Sequence, residues 1–125
     1  MSINHSCETG GCYVKKLTPD WGFLDSALSG KIRVTDIDGA VEANGHLLIL
    51  EWKSTHATLT LGQQIMFKNI TKNSRITVFV LYGDPELSIA KRITLFIDGE
   101  ERPSQECSNE ELKKWVTHWE TKVRK

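Results

Sequence analysis

Asp36-Ile37-Asp38-Gly39-Ala40-Val41-Glu42-Ala43-Asn44-Gly45-His46-Leu47-Leu48-Ile49-Leu50-Glu51-Trp52-Lys53 is the stretch that decides how this chain folds. Asn44-Gly45 is the strongest short hairpin signal in the sequence, because a type I′ turn needs two residues that tolerate positive φ. The returning strand, His46 to Lys53, carries Leu47-Leu48-Ile49-Leu50 without alternation. A strand apolar on both sides is buried on both faces, so helices are expected on each side of the sheet. With Asn44 and Gly45 as the two loop residues, Asp38 falls opposite Glu51 and Asp36 opposite Lys53. Strand period two then sets all four on one face, close enough to share a ligand. One bulge would break that register.

Outward from the hairpin, Thr18-Pro19-Asp20 reads as a helix start, followed by Trp21, Leu24 and Leu28 at helical spacing and stopped by Gly30. A strand is expected from Ile32 through Thr35 towards Ala43. Beyond the hairpin, Thr60-Leu61-Gly62-Gln63 is a capping box opening a helix to about Lys72. Ile76 to Tyr82 and Ile93 to Ile97 read as strands, ended by Gly83-Asp84-Pro85 and Asp98-Gly99. Ser108-Asn109-Glu110-Glu111 is a second capping box. Its helix aligns Leu112, Trp115, Val116, Trp119 and Val123 on one stripe. The expected order is α-β-β-β-α-β-β-α, an α/β fold with a mixed β-sheet flanked by helices. One domain is expected over 1–125: an irregular 1–17, a motif-bearing core over 18–83, and a strand and helix over 84–125.

The chain has 125 residues, and 16 Lys+Arg balance 16 Asp+Glu. Hydrophobic residues at 39% and charged residues at 26% are globular values, which excludes a disordered chain. Apolar runs are too short to span a bilayer, the N-terminus lacks a signal peptide's pattern, and three cysteines do not make a disulfide scaffold. A cytoplasmic protein is expected. The neutral total hides segregation: Lys68, Lys72 and Arg75 occupy 63–83 without an acid, and 112–125 holds five basic residues against Glu120. Two such segments converging on one face would attract a polyanion, whereas scattered they are ordinary solvated helix faces.

The chemistry lies in the hairpin. Two or three carboxylates beside one lysine, on strands built for burial, repel one another unless a cation neutralises them. An Asp36–Lys53 ion pair accounts for part of this but not for the surplus of acids. Oxygen ligands alone select a hard ion, Mg²⁺ or its substitute Mn²⁺, over zinc. Glu-x-Lys by itself says little, since Glu111-x-Lys113 and Glu120-x-Lys122 repeat it in the last helix. There, residues two apart point to different sides.

Asp38, twelve intervening residues, then Glu51-x-Lys53 in an apolar strand resembles the PD-(D/E)XK nuclease motif. Similarity is greatest to small VRR-NUC and Holliday-junction-resolvase-like members, including small phage nucleases, and covers about residues 18–83. In VRR-NUC proteins a Leu-Ser-x-x-Gln follows the motif, and Leu59-Thr60-Leu61-Gly62-Gln63 resembles it. Gln63 is equally the third residue of a capping box. Two features depart from the family: no proline precedes Asp36 or Asp38, and no glutamate lies between Pro19 and Gly30.

The resemblance implies a restriction-endonuclease-like core and Mg²⁺-dependent hydrolysis of DNA phosphodiesters. It implies Asp38, Glu51 and the Trp52 carbonyl as metal ligands, with Asp36 as a further candidate. Lys53 would orient or deprotonate the attacking water or stabilise the developing charge, and Gln63 would assist. Lys68, Lys72 and Arg75 are the basic candidates for tracking the DNA backbone. The competing class is a catalytically inactive nuclease-fold binding or assembly module, favoured by the zero net charge and the missing glutamate. Cutting two strands needs two sites, most simply a C2 homodimer, with Trp115, Val116, Trp119 and the Ile93–Ile97 strand as interface candidates. His5, Cys7 and Cys12 have the beginning of a zinc spacing but no second local pair, so inert thiols are expected.

Overall fold

A computed structural model describes residues 19–125. The expectations for the irregular 1–17, for His5, Cys7 and Cys12, and for Thr18 as a helix cap lie outside the described residues. Those described form two compact units, one ending at Ile37 and one running from Asp38 to Lys125.

In the first unit the expected helix is a short 3-10 helix, Gly22–Ala27, with no buried residue. Its stripe is only half-buried at Trp21, Leu24 and Leu28, and the neighbouring Phe23 is 72% exposed. Most helical stability comes from burying such a face, so without full burial only a short i→i+3 turn remains. Asp20 accepts the Gly22 N–H at 2.8 Å, Arg33 pairs with Asp25 at 3.4 Å, and Trp21 Nε1 donates to Asp36 Oδ1 at 3.1 Å. The strand expected from Ile32 towards Ala43 forms only over its last part, Gly39–Ala43. Ile32 and Val34 are β-branched but exposed, and 32–37 joins no ladder. The order is therefore one strand short before the central helix.

The second unit is a mixed six-stranded sheet with a helix on each face. β1 (Gly39–Ala43) and β2 (His46–Ser54) form the expected antiparallel hairpin, in the expected register: Gly39 pairs with Leu50 and Ala43 with His46. Asn44 and Gly45 adopt φ of 53° and 82°, as a type I′ turn requires. α1 (Leu61–Thr71) then carries the chain to β3 (Ile76–Asp84), which runs parallel to β2. Parallel neighbours need such a crossover. β4 (Ile89–Ile97) returns antiparallel and begins earlier than expected. The two-residue strands β5 (Glu100–Glu101) and β6 (Gln105–Glu106) both pair with β4, and α2 (Asn109–Val123) closes the chain.

Both capping boxes form, through Thr60 and Gln63 on α1 and Ser108 and Glu111 on α2. α2 lays its stripe of Leu112, Trp115, Val116, Trp119 and Val123 over Leu48, Phe79, Leu81, Ile93 and Leu95. α1 covers the other face, where the Phe67 ring meets Phe96 edge-on at 5.3 Å. Each such buried side chain contributes about 1.5–3 kcal/mol. The residues suggested for a dimer interface are largely intramolecular core: Ile93 is fully buried, Trp119 is 7% exposed, and Trp115 and Val116 pack on the same cluster. No helix among the described residues is long and apolar enough to cross a membrane.

Candidate active site

The β1–β2 ladder ends at the Gly39–Leu50 pair, and Asp38 stands one residue beyond it. There the backbone pairing passes to side chains. Asp38 Oδ2 accepts the Trp52 N–H at 2.8 Å, while the Asp38 N–H donates to Glu51 Oε1 at 3.3 Å. Asp38 and Glu51 are thus clasped together at the open end of the hairpin, as their register foretells. A strand residue's N–H and C=O leave the backbone on the same side. Since the Trp52 N–H turns towards Asp38, the Trp52 carbonyl faces that edge too.

Glu51 and Lys53 lie two apart on β2, half-buried and on the face that α1 covers. Lys53 pairs in register with Tyr82 on β3, and Tyr82 with Arg92 on β4. The Arg92 guanidinium lies 3.7 Å from the centre of the Tyr82 ring, a cation–π contact. It donates to the Thr55 carbonyl at 3.4 Å and to Ser104 Oγ at 3.3 Å. Arg92 therefore braces the loop that leaves β2 just after Lys53. Sequence reasoning missed Tyr82 and Arg92 because the fourth strand was expected to start at Ile93. Extending it back to Ile89 would have set Arg92 opposite Tyr82.

The remaining candidates lie elsewhere. Asp36 belongs to the first unit and is outside any strand, so the hairpin register opposite Lys53 does not extend to it. Its carboxylate accepts the Trp21 indole N–H. Gln63 is engaged in the capping box: its Oε1 accepts the Thr60 N–H at 3.2 Å. Lys68 is on α1, Lys72 is the residue that ends it and lies against Gly99, and Arg75 follows, its guanidinium beside Gly45 at the hairpin turn. From Gly45 to Glu51 along β2 is about 20 Å, at roughly 3.3 Å per residue. Arg75 and the acid pair thus mark opposite ends of β2.

Among the described residues, no group of three or more His, Cys, Asp or Glu is arranged to hold a metal ion. Two carboxylates and a carbonyl remain at the hairpin's open end. That set suits Mg²⁺, which is commonly held by one or two carboxylates and completes its shell with water and phosphate oxygens. Cys107 is a buried free thiol, and burial, with the Glu111 carboxylate second, pushes it above its ordinary value. It is an inert core residue. Set beside protein families, curated proteins and solved structures, the chain matches none of them.

Proposed function

We propose that this protein is a metal-dependent DNA endonuclease with a restriction-endonuclease-like core. The observation that carries this is the Asp38–Glu51 clasp, with Lys53 one strand period further on the same face. Neither carboxylate is needed to set the hairpin register, which Asn44-Gly45 and the apolar pattern already specify.

Asp38, Glu51 and the Trp52 carbonyl would hold Mg²⁺, or Mn²⁺ in its place. Such an ion would supply Lewis-acid polarisation of a phosphoryl oxygen and a more acidic water. Lys53 would orient the attacking water or balance negative charge on the phosphoryl oxygens as the bond breaks. Tyr82 and Arg92 keep the strand and loop around Lys53 in place. A duplex held against both ends of β2 would reach Arg75 about six base-pair steps away, at roughly 3.4 Å each, with Lys68 and Lys72 as further candidates to meet its phosphates. Cleaving both strands calls for two such sites, and a C2 homodimer supplies them most simply. A cytoplasmic setting accords with the free, buried Cys107 thiol.

A second reading is a nuclease-fold binding or assembly module without catalysis. It is favoured by the small donor set and by the use of Gln63 in the capping box. Calorimetry with Mn²⁺ separates the two. The nuclease reading expects saturable binding below about 1 mM, the weak end of measurable affinities, that disappears in Asp38→Asn/Glu51→Gln. Unchanged heats in that double variant would favour the module.

A further inference from the structure

A cavity of about 390 Å³ opens at the other end of the sheet, where the C-terminal half of α2 stands over the ends of the strands. Its floor is Thr77, Phe79, Leu95 and Ile97, and its wall is Trp115, Trp119 and Val123. The volume falls within the range of small-molecule sites, which combine an apolar lining with a few polar groups. Its charged groups are basic: Lys122 and Lys125 stand around the opening with His46, His118 and Asn44, and among the described residues no Asp or Glu lines the cavity.

The end of a helix normally repels an anion, because its last carbonyls are unpaired and carry partial negative charge. Here the hairpin turn offsets part of that: Asn44 Nδ2 donates to the Val123 carbonyl at 3.0 Å. The same bond ties the turn to the helix and keeps the mouth shaped. A largely apolar floor, a tryptophan wall and two lysines at the rim are complementary to one ligand class, a molecule with an apolar body and a single anionic head.

We propose that this cavity binds a small aromatic or acyl carboxylate, its apolar body on Phe79, Leu95 and Trp119 and its head at Lys122 and Lys125. The site is separate from Asp38, Glu51 and Lys53 and does not depend on their chemistry.

The test uses the full chain and two probes of matched shape, naphthoate and neutral naphthylmethanol, followed by tryptophan fluorescence and calorimetry. Naphthoate should bind saturably, one per chain, about tenfold tighter than the alcohol. Lys122→Glu/Lys125→Glu should weaken naphthoate about tenfold, leaving the alcohol and the melting temperature unchanged. Lys91→Glu, on the exposed side of β4, should change neither affinity. Val123→Trp, which fills the mouth, should abolish both. No saturable binding up to about 1 mM, equal affinity for acid and alcohol, or indifference to the double charge reversal would overturn the assignment. So would displacement of the probe by a short DNA strand at equal concentration, which would make the cavity part of a nucleic-acid surface instead.

Discussion

The two ends of the β1–β2 hairpin contain similar residues used in different ways. At the turn end, every polar group has a task in folding. Asn44 and Gly45 take the positive φ values, Glu42 accepts the Gly45 N–H at 2.8 Å, and Asn44 holds the Val123 carbonyl. At the open end, Asp38 and Glu51 bind each other's backbone neighbourhood after the ladder has already closed at Gly39–Leu50. Register is a matter for the turn, and the acids that stand beyond the ladder are the residues on which the proposed chemistry rests.

Substitutions can break this comparison, beginning with the core that both ends share. Phe96→Ala, at a fully buried ring against Phe67, should cost about 3–5 kcal/mol in urea unfolding. Gly83→Ala comes next: an added Cβ would run into the Ile89 carbonyl, where the β3–β4 register shifts. A cost of about 1–3 kcal/mol is expected. At the turn, Gly45→Ala should lose about 1–2 kcal/mol, the penalty of a left-handed residue with a Cβ. Asp38→Asn and Glu51→Gln, which preserve shape at the open end, should stay within about 0.5 kcal/mol of the native protein. Losses at the open end as large as those at the turn would show that the acids are structural.

The two capping boxes provide the smallest and most selective contrast. α1 is capped by neutral Gln63 and α2 by Glu111. Hydrogen bonds from Ser108, backbone first and hydroxyl second, lower the Glu111 carboxyl below its ordinary value. A depressed carboxyl stabilises the folded state above its unfolded value and loses that contribution as pH falls through the folded one. Hydrogen-exchange protection factors, corrected for the intrinsic pH dependence, should therefore fall at acid pH more at the start of α2 than at the start of α1. Equal loss of protection at both helix ends would remove the assigned role of Glu111.

How far the sequence could be read depended on whether its signals were local. Asn44-Gly45 and the apolar run that follows it specify a register with few alternatives, and both S/T-x-x-E/Q boxes are complete within four residues. Ile32 and Val34 carried a strand pattern too, but a strand needs a partner, and no neighbouring strand can be read from propensity alone. The Trp21, Leu24 and Leu28 spacing likewise needs a surface to cover. Arg92 was hidden for a related reason: its meaning comes from Tyr82 beneath it and Thr55 beyond it, which only the three-strand register brings together. The charge segments gave composition but not direction. Arg75 meets the turn end, away from the acids that suggested a phosphate substrate, and Lys72 lies against Gly99.

The central claim is most directly tested by cleavage of supercoiled plasmid in Mg²⁺, comparing native protein with Glu51→Gln and Lys53→Ala. The native protein should nick or cut the plasmid, chelation should stop it, and each variant should lose at least about 10²-fold in rate while melting normally. Cleavage that persists in both purified variants, or native protein that binds DNA but leaves it intact with Mg²⁺ and Mn²⁺ alike, would contradict it.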